Sequence, residues 1–480
     1  MNNTILQLKC LLLILLCTLS TYAQEEYSRL QNRAEEIFTQ PFSANRPCIT
    51  DQEYEILENR FSENIKLLNI DNTRFTTQGN AIVSLSWPVK AASNLQDCSY
   101  YHVSAYVDQN TASASIQDYN CGSITYDGHK GTDISIWPYN FYKMDSNMVE
   151  VIAAAPGIIL DRHDGEFDRN CSSNGSFANY VVIQHIDGSL ILYFHMKNGS
   201  LTSKAIGDSV INGEYLGIVG SSGNSSGPHL HFEVWSGSTV ATRIDPFSGL
   251  CNSLNASSWW TAQKSHRETS IVKASVHSTD ILFTVCPNSE VLNESKLFHI
   301  PFSGSGLPPG YAKFYIFIRD EIAGLTGNLS ILNPDGSTYL TWTYNSPSDN
   351  KVKTFGWSKI LPTTSGTYSF NATYNGITCS SSFEIDNPTG IETPDTNSST
   401  IVYPNPSNGI FTLNVKYINS NLINGTIKIY NAIGELVLIS KILNSKIEIK
   451  LNDKNGIYFY KITDSNQLFS SGKIIIHSEL

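Results

Sequence analysis

The 480-residue sequence predicts a mainly β, multi-domain, exported protein. Three observations point there. At roughly 100–200 residues per domain the length gives about three domains. Only 16% of residues are charged, against roughly 25% on average, while Ser, Thr, Asn and Tyr abound. From residue 86 onward, short apolar and aromatic runs alternate with Gly-rich turns, and helical spacing is confined to one earlier stretch. The formal charge of −11 argues against a nucleic-acid binder, which needs a basic footprint. Apolar content of 41% and aromatic content of 11% argue against a disordered chain.

Residues 1–23 read as a secretory signal: Lys9, an apolar run at Cys10–Leu19, then Thr21-Tyr22-Ala23. The run is shorter than the roughly 20 residues that span a bilayer, and no later segment suits a transmembrane helix. Cys10 and Cys17 leave with the signal. Cys48, Cys98, Cys121, Cys171, Cys251, Cys286 and Cys379 remain. Export favours disulfides. An odd number leaves one thiol free or paired between chains. No CxxC pair occurs, which argues against a cysteine zinc site. Cys286 and Cys379 are candidates for one bridge, and the full pairing is open.

Residues 24–85 are the most helical part. Thr50-Asp51-Gln52-Glu53 fits a capping box, and Ile56, Leu57, Phe61, Ile65 and Leu68 follow at helical spacing. A helix of about four turns results, either a packing segment or a propeptide covering an active site. Residues 86–250 form a strand-rich domain. Two apolar runs within 179–195, joined at Asp187-Gly188, signal a hairpin. Residues 270–386 read as an immunoglobulin-like β-sandwich, from the run Phe314–Ile318, the turn Pro334-Asp335-Gly336, and alternating Tyr368, Phe370, Ala372 and Tyr374. Residues 387–400 are a polar linker. Residues 401–480 form a last, basic unit with eight Lys and five acidic residues.

The chemistry concentrates between His129 and His231. In His229-Leu230-His231-Phe232-Glu233-Val234, strand alternation puts His229, His231 and Glu233 on one face and Leu230, Phe232 and Val234 in the core. The two imidazoles stand about 6.5–7 Å apart at their Cα atoms, so both reach one site. Gly128-His129-Lys130-Gly131-Thr132-Asp133 reads as a turn feeding a strand. Imidazole and carboxylate donors suit zinc, and three protein ligands leave a fourth position for water. Tyr193-Phe194-His195 ends the hairpin. Ser221–Pro228 lacks the Gly-Lys-Ser/Thr ending of a phosphate loop and reads as a flexible turn delivering His229. Glu233 is either an orienting partner or a solvent-facing strand residue. Tyr126, Trp137, Tyr139 and Phe141 either line a groove or pack elsewhere. His163 and His185 read as surface or packing residues.

The order HxxxD, YxH, Gly-rich loop and HLHFEV, with Ala153–Gly157 and Gly207–Gly220 between, resembles the M23 metallopeptidases, the lysostaphin- and LytM-like endopeptidases. The resemblance covers about 110–250. It implies an antiparallel β-sheet peptidase core and one zinc ion, with His129, Asp133 and His231 as ligands and His195 and His229 as catalytic residues. It further implies hydrolysis of peptide cross-links in bacterial peptidoglycan, often at glycine-containing bonds, or of Gly-rich extracellular proteins. A non-catalytic adhesive protein on the same fold is the alternative. Tyr403-Pro404-Asn405-Pro406, Gly409, Phe411, Leu413, Ile427–Asn431, Gly434, Asn455–Tyr458 and Lys473 resemble the type A sorting domain of the type IX secretion system. That resemblance implies a β-sandwich read by the secretion machinery, and a secreted or cell-surface destination.

Overall fold

The computed structural model describes residues 35–38, 48–70, 83–386, 399–416, 425–442, 444–451, 455–464 and 467–477. The expected signal at 1–23 and most of the expected linker at 387–400 lie outside them. The chain divides into two compact units, Met1–Asp386 and Asn387–Leu480. Among the described residues, no helix is long and apolar enough to cross a membrane.

Helix α1 spans Asp51–Leu67, and the capping box at its start is complete. The Glu53 amide donates to Thr50 Oγ1, and the Thr50 amide donates to the Glu53 carboxylate at 2.7 Å. Both satisfy donors that a helix start otherwise leaves orphaned. Tyr54, Leu57, Phe61 and Ile65 form the buried stripe. Ile56, expected on that stripe, is exposed instead, and the Tyr54 ring takes the buried position.

The stripe lies on the large sheet of the region 86–250. Its strands are β1 (Tyr101–Ala105), β2 (Thr132–Ile136), β3 (Gly157–His163), β4 (Tyr180–Gln184), β5 (Leu190–Phe194), β6 (Ser209–Val210), β7 (His229–Trp235) and β8 (Arg243–Ile244). They pair in the order β1-β2-β7-β5-β4-β3-β6, with β8 on β7. All these pairs are antiparallel. Strand alternation splits the side chains between two cores. Val181, Ile183, Ile191, Tyr193, Leu230, Phe232 and Val234 face one core, which also holds Val89, Val151 and Leu216 of a second, three-stranded sheet. Tyr180, Val182, Leu190, Leu192, Phe194 and Trp235 face the other, where α1 packs.

Residues 270–386 form two facing sheets, with Phe314, Ile316 and Trp357 of one packed against Leu329, Phe370 and Phe383 of the other. The strand Glu35–Phe38 pairs with Asn350–Ile360 at the edge of the first sheet. The disulfides are Cys98–Cys379, Cys121–Cys251 and Cys171–Cys286. The expected Cys286–Cys379 bridge is therefore incorrect. Each of those cysteines instead bonds back to the region 86–250, because the sandwich packs against it through Trp137, Tyr139, Tyr315 and Phe317. Trp137, Tyr139 and Phe141 are buried, and Trp137 and Tyr139 pack on the sandwich rather than flanking the metal motif's histidines.

In the second unit, Ser399–Tyr403, Ile410–Lys416 and Lys446–Lys450 form one sheet. Leu436–Lys441, Thr426–Tyr430, Gly456–Asp464 and Gln467–Ile476 form another. Phe411 and Leu413 from the first share a core with Ile429, Ile462 and Ile474 from the second, the β-sandwich expected.

Two buried imidazoles outside the site give the fold a pH dependence. Burial holds His102 down to about 3 and His277 down to about 4. Their stabilising contribution is complete above the unfolded value of about 6.5 and is lost as pH falls through 6.5 toward those values. The loss is on the order of a few kcal/mol for each imidazole. The thermal midpoint should fall between pH 7 and 4.5. A midpoint flat across that interval would contradict the neutral burial of both rings.

Candidate metal centre

The site forms where β2 and β7 pair. His231 stands opposite Asp133 on one side and Phe194 of β5 on the other. His129 lies in the turn before β2. Gly131 is required there, because a Cβ at that position would come within 2.8 Å of the His231 ring. The turn thus brings His129 and Asp133 to the same imidazole.

His195 reaches the site by a different route. Continued alternation after Tyr193 would turn it toward the opposite core. Its φ of 65° breaks the alternation. A left-handed conformation costs a non-Gly residue of order 1–3 kcal/mol, and here it swings the imidazole to 4.5 Å from His229, centroid to centroid. The Ser221–Pro228 loop is more than a flexible turn. Ser221, Ser222, Asn224 and Ser225 are buried, and the loop supplies the carbonyls that hold both histidines.

Three donors converge. His129 Nε2 lies 3.2 Å from His231 Nδ1 and 3.1 Å from Asp133 Oδ1. His231 Nδ1 lies 2.8 Å from the same oxygen. The far nitrogens show what these atoms are. His129 Nδ1 is 2.7 Å from the Tyr106 carbonyl, which only accepts, so Nδ1 carries the proton. His231 Nε2 likewise donates to Glu233 Oε1 at 2.8 Å. In the neutral rings, the inward-facing nitrogens are then lone pairs gathered around a carboxylate. Such an acceptor-only cluster, almost fully buried, calls for a cation. Tetrahedral zinc with bonds of 2.0–2.1 Å places neighbouring donors about 3.3 Å apart, and the observed spacings are close to that. The donor set therefore fits the metal the sequence implies.

The Asp133 carboxylate draws positive charge, proton or metal, toward these rings. Burial alone would lower His129, but the Asp133 carboxylate outweighs it and pushes the imidazole up to about 9. Burial would raise Asp133, yet the surrounding imidazoles hold it well below the usual carboxylate range. The two remaining histidines differ. Burial and the nearby His229 lower His195, whereas Asp133 raises His229 against burial. His195 Nδ1 is 2.6 Å from the Ser222 carbonyl and His229 Nδ1 is 2.8 Å from that of Gly227. Both therefore turn Nε2 inward, and His195 Nε2 is buried without a hydrogen-bond partner.

Glu233 is fully buried, so the solvent-facing alternative does not hold. It accepts from His231 Nε2, from Trp235 Nε1 at 2.8 Å, and from the Tyr54 hydroxyl of α1. A carboxylate behind a ligand imidazole fixes its tautomer and orientation. Glu233→Ala should weaken metal affinity about 10–100-fold, measured by competition with a chelator. Unchanged affinity would show that His231 is held by other contacts. Tyr126 packs against His129 with the two rings tilted by 31° and their centroids 4.3 Å apart. His163 pairs with Glu166 and His185 with the Pro156 carbonyl, both away from the centre.

One residue of the cluster escaped the sequence reading. The ligand atoms of Cys48, His129, Asp133 and His231 all lie within 4.8 Å of one another, as do those of Cys48, His195 and His229. The lack of CxxC spacing argued against a cysteine at a zinc site. That argument covers only ligands close in sequence, and this thiol arrives from the segment before α1.

Two imidazoles and a carboxylate on a β-sheet, with two further imidazoles facing them, are a donor set and proton-transfer groups of the kind a metal-dependent hydrolase uses. Residues 127–246 match peptidase family M23, and residues 401–477 match a secretion system C-terminal sorting domain. The chain thus carries an M23 peptidase domain and, after the sandwich, a type IX sorting domain. A 59-residue stretch is 48% identical to the DD-carboxypeptidase/endopeptidase Mpg of Neisseria meningitidis serogroup B, covering 12% of this chain and 13% of that protein. An 88-residue stretch is 34% identical to the cell division protein DipM of Caulobacter vibrioides, covering 18% and 14%. The chain spans less than a fifth of the length of the relatives it matches. Among solved structures, the catalytic domain of the prophage-encoded M23 protein EnpA from Enterococcus faecalis aligns at 22% identity, with 35% of this chain, 96% of that one and a TM-score of 0.22.

Proposed function

We propose that this chain is a secreted, zinc-dependent endopeptidase that hydrolyses peptide bonds in bacterial peptidoglycan cross-links, glycine-containing bonds among them. The observation that carries this reading is that His129, Asp133 and His231 form one buried group of donors and that His195 and His229 form a second, buried, beside it, the five coming from three separate segments. His129, Asp133 and His231 would hold the metal. When bound, zinc polarises the scissile carbonyl and acidifies a water molecule. The remaining work belongs to the chain's own residues. The backbone carbonyls of Ser222 and Gly227 fix the tautomers of His195 and His229. Each inward Nε2 can then take a proton from the attacking water and, once protonated, donate to the developing oxyanion. Glu233 keeps the His231 ring in register. The sorting domain supports export by the type IX machinery to the cell surface or beyond. Other divalent ions can occupy the same donors in vitro.

The test is digestion of purified cell walls, with and without a chelator, followed by sequencing of the released peptides. New amino termini within stem or bridge peptides, appearing only with metal, are expected. Cleavage confined to Gly-rich proteins would replace the substrate assignment, and activity that survives His195→Ala would contradict the catalytic one.

A further inference from the structure

Cys48 is the one free cysteine among the described residues, and it is buried. The six other cysteines outside the expected signal form three bridges. An exported chain that leaves one thiol unpaired exposes it to oxidation unless something holds it. Here the thiol points into the metal centre. Sγ is 3.9 Å from Asp133 Oδ2 and 3.9 Å from His229 Nε2, and 2.9 Å from the Tyr126 hydroxyl. Beside the thiol, the buried His195 Nε2 faces the same space, with no hydrogen-bond partner placed for it among the described residues.

The segment behind the thiol is firmly seated. Thr50 caps α1 two residues later. Tyr54 donates to Glu233, the residue that holds His231. Arg60 makes a two-pronged contact with the buried Asp161, at 2.8 and 2.7 Å. Leu57, Phe61 and Ile65 pack on Tyr180, Leu192, Phe194 and Trp235. This is the face of β7 that bears His229, His231 and Glu233. A substrate that reached those residues would have to lie where α1 begins.

We propose that Cys48 is a further metal ligand, supplied by the N-terminal segment, which closes the fourth coordination position of the His129–Asp133–His231 centre and keeps the chain latent. Cysteine sulfur is a good zinc ligand. On binding, the thiol gives its proton to solvent and the thiolate donates an electron pair to the metal. A site closed by four protein ligands is of the structural type, whereas catalysis needs one open position. Without the metal–sulfur contact, water enters that position and the residues ahead of α1, from Cys48 to Thr50, can swing clear of the donors. The proposal rests on the zinc peptidase reading, and its test separates the two.

The full chain and its Cys48→Ser and Cys48→Ala variants are loaded with cobalt(II) as a spectroscopic substitute. One bound cobalt per chain is expected in all three. A thiolate-to-cobalt charge-transfer band in the near ultraviolet is expected only in the wild type. The zinc-loaded Cys48→Ala chain should digest cell walls at least tenfold faster than wild type. Cobalt bound without the band in the wild type overturns the proposal and leaves the peptidase reading standing. A band without any gain of activity in the variants overturns the latency. Failure of all three to bind cobalt overturns the metal centre itself, and the proposal with it.

Discussion

His231→Ala is expected to abolish both metal binding and peptide-bond hydrolysis. Its imidazole is the hinge of the site: Nδ1 faces Asp133 and His129, and Nε2 is held by Glu233. In the Cys48→Ala background, removal leaves one imidazole and one carboxylate, too few donors for a zinc site, which has three protein ligands even in its open form. It also leaves Glu233 with one partner fewer in a fully buried position. The loss of Lewis-acid stabilisation, several kcal/mol, corresponds to a fall in turnover of about a thousandfold or more. Elemental analysis after dialysis should find the metal missing, and the peptide assay should be silent. Because Cys48 would supply a third donor and hold the wild-type chain latent, the comparison belongs in the Cys48→Ala background. Stoichiometric metal in His231→Ala would remove this residue from the ligand set.

The second large effect has the opposite signature. His229→Ala and His195→Ala should each keep the metal and lose turnover. His229 Nε2 is 3.7 Å from Asp133 Oδ1, outside the tight group of donors, and His195 meets the site only through a ring nitrogen without a partner. Proton transfer by a positioned side chain contributes typically 10²–10⁴-fold. A fall of that size in kcat is expected, with metal content unchanged. Joint loss of metal and activity in either variant would make that histidine a ligand instead.

Much of the site was legible because a strand has a period of two. His229, His231 and Glu233 share a face, and the intervening Leu230, Phe232 and Val234 are buried in the core behind it. The turn residues Gly128 and Gly131 likewise signalled that His129 and Asp133 do not sit on a helix. His195 was legible only through family resemblance, since alternation alone sends it to the wrong face and its positive φ is set by tertiary context. Glu233 was ambiguous because sequence shows which face a strand residue takes, but not whether a helix covers that face. The cover itself was readable in part. The capping box at Thr50 placed α1, yet nothing local revealed where the helix docks.

The cysteines show the same limit. Their odd number pointed to one special thiol without saying which. Spacing suggested Cys286–Cys379, whereas contact between sandwich and peptidase region sends each to a partner more than a hundred residues away. Trp137 and Tyr139 belong to that contact as well, which is why these two aromatics do not line the site although they follow the metal motif in sequence, whereas Tyr126 does. Cys48 lies 81 residues before its first metal-centre neighbour in the sequence, His129. Only the docking of α1 on the sheet brings the two together.

The most direct test of the account is a paired measurement on the Cys48→Ala chain: metal content, and mass spectrometry of the peptides it releases from purified cell walls. One zinc per chain is expected, together with new amino termini in the wall peptides that disappear when the metal is chelated and in His195→Ala. Full zinc occupancy with no new amino terminus would contradict a peptidase on this centre.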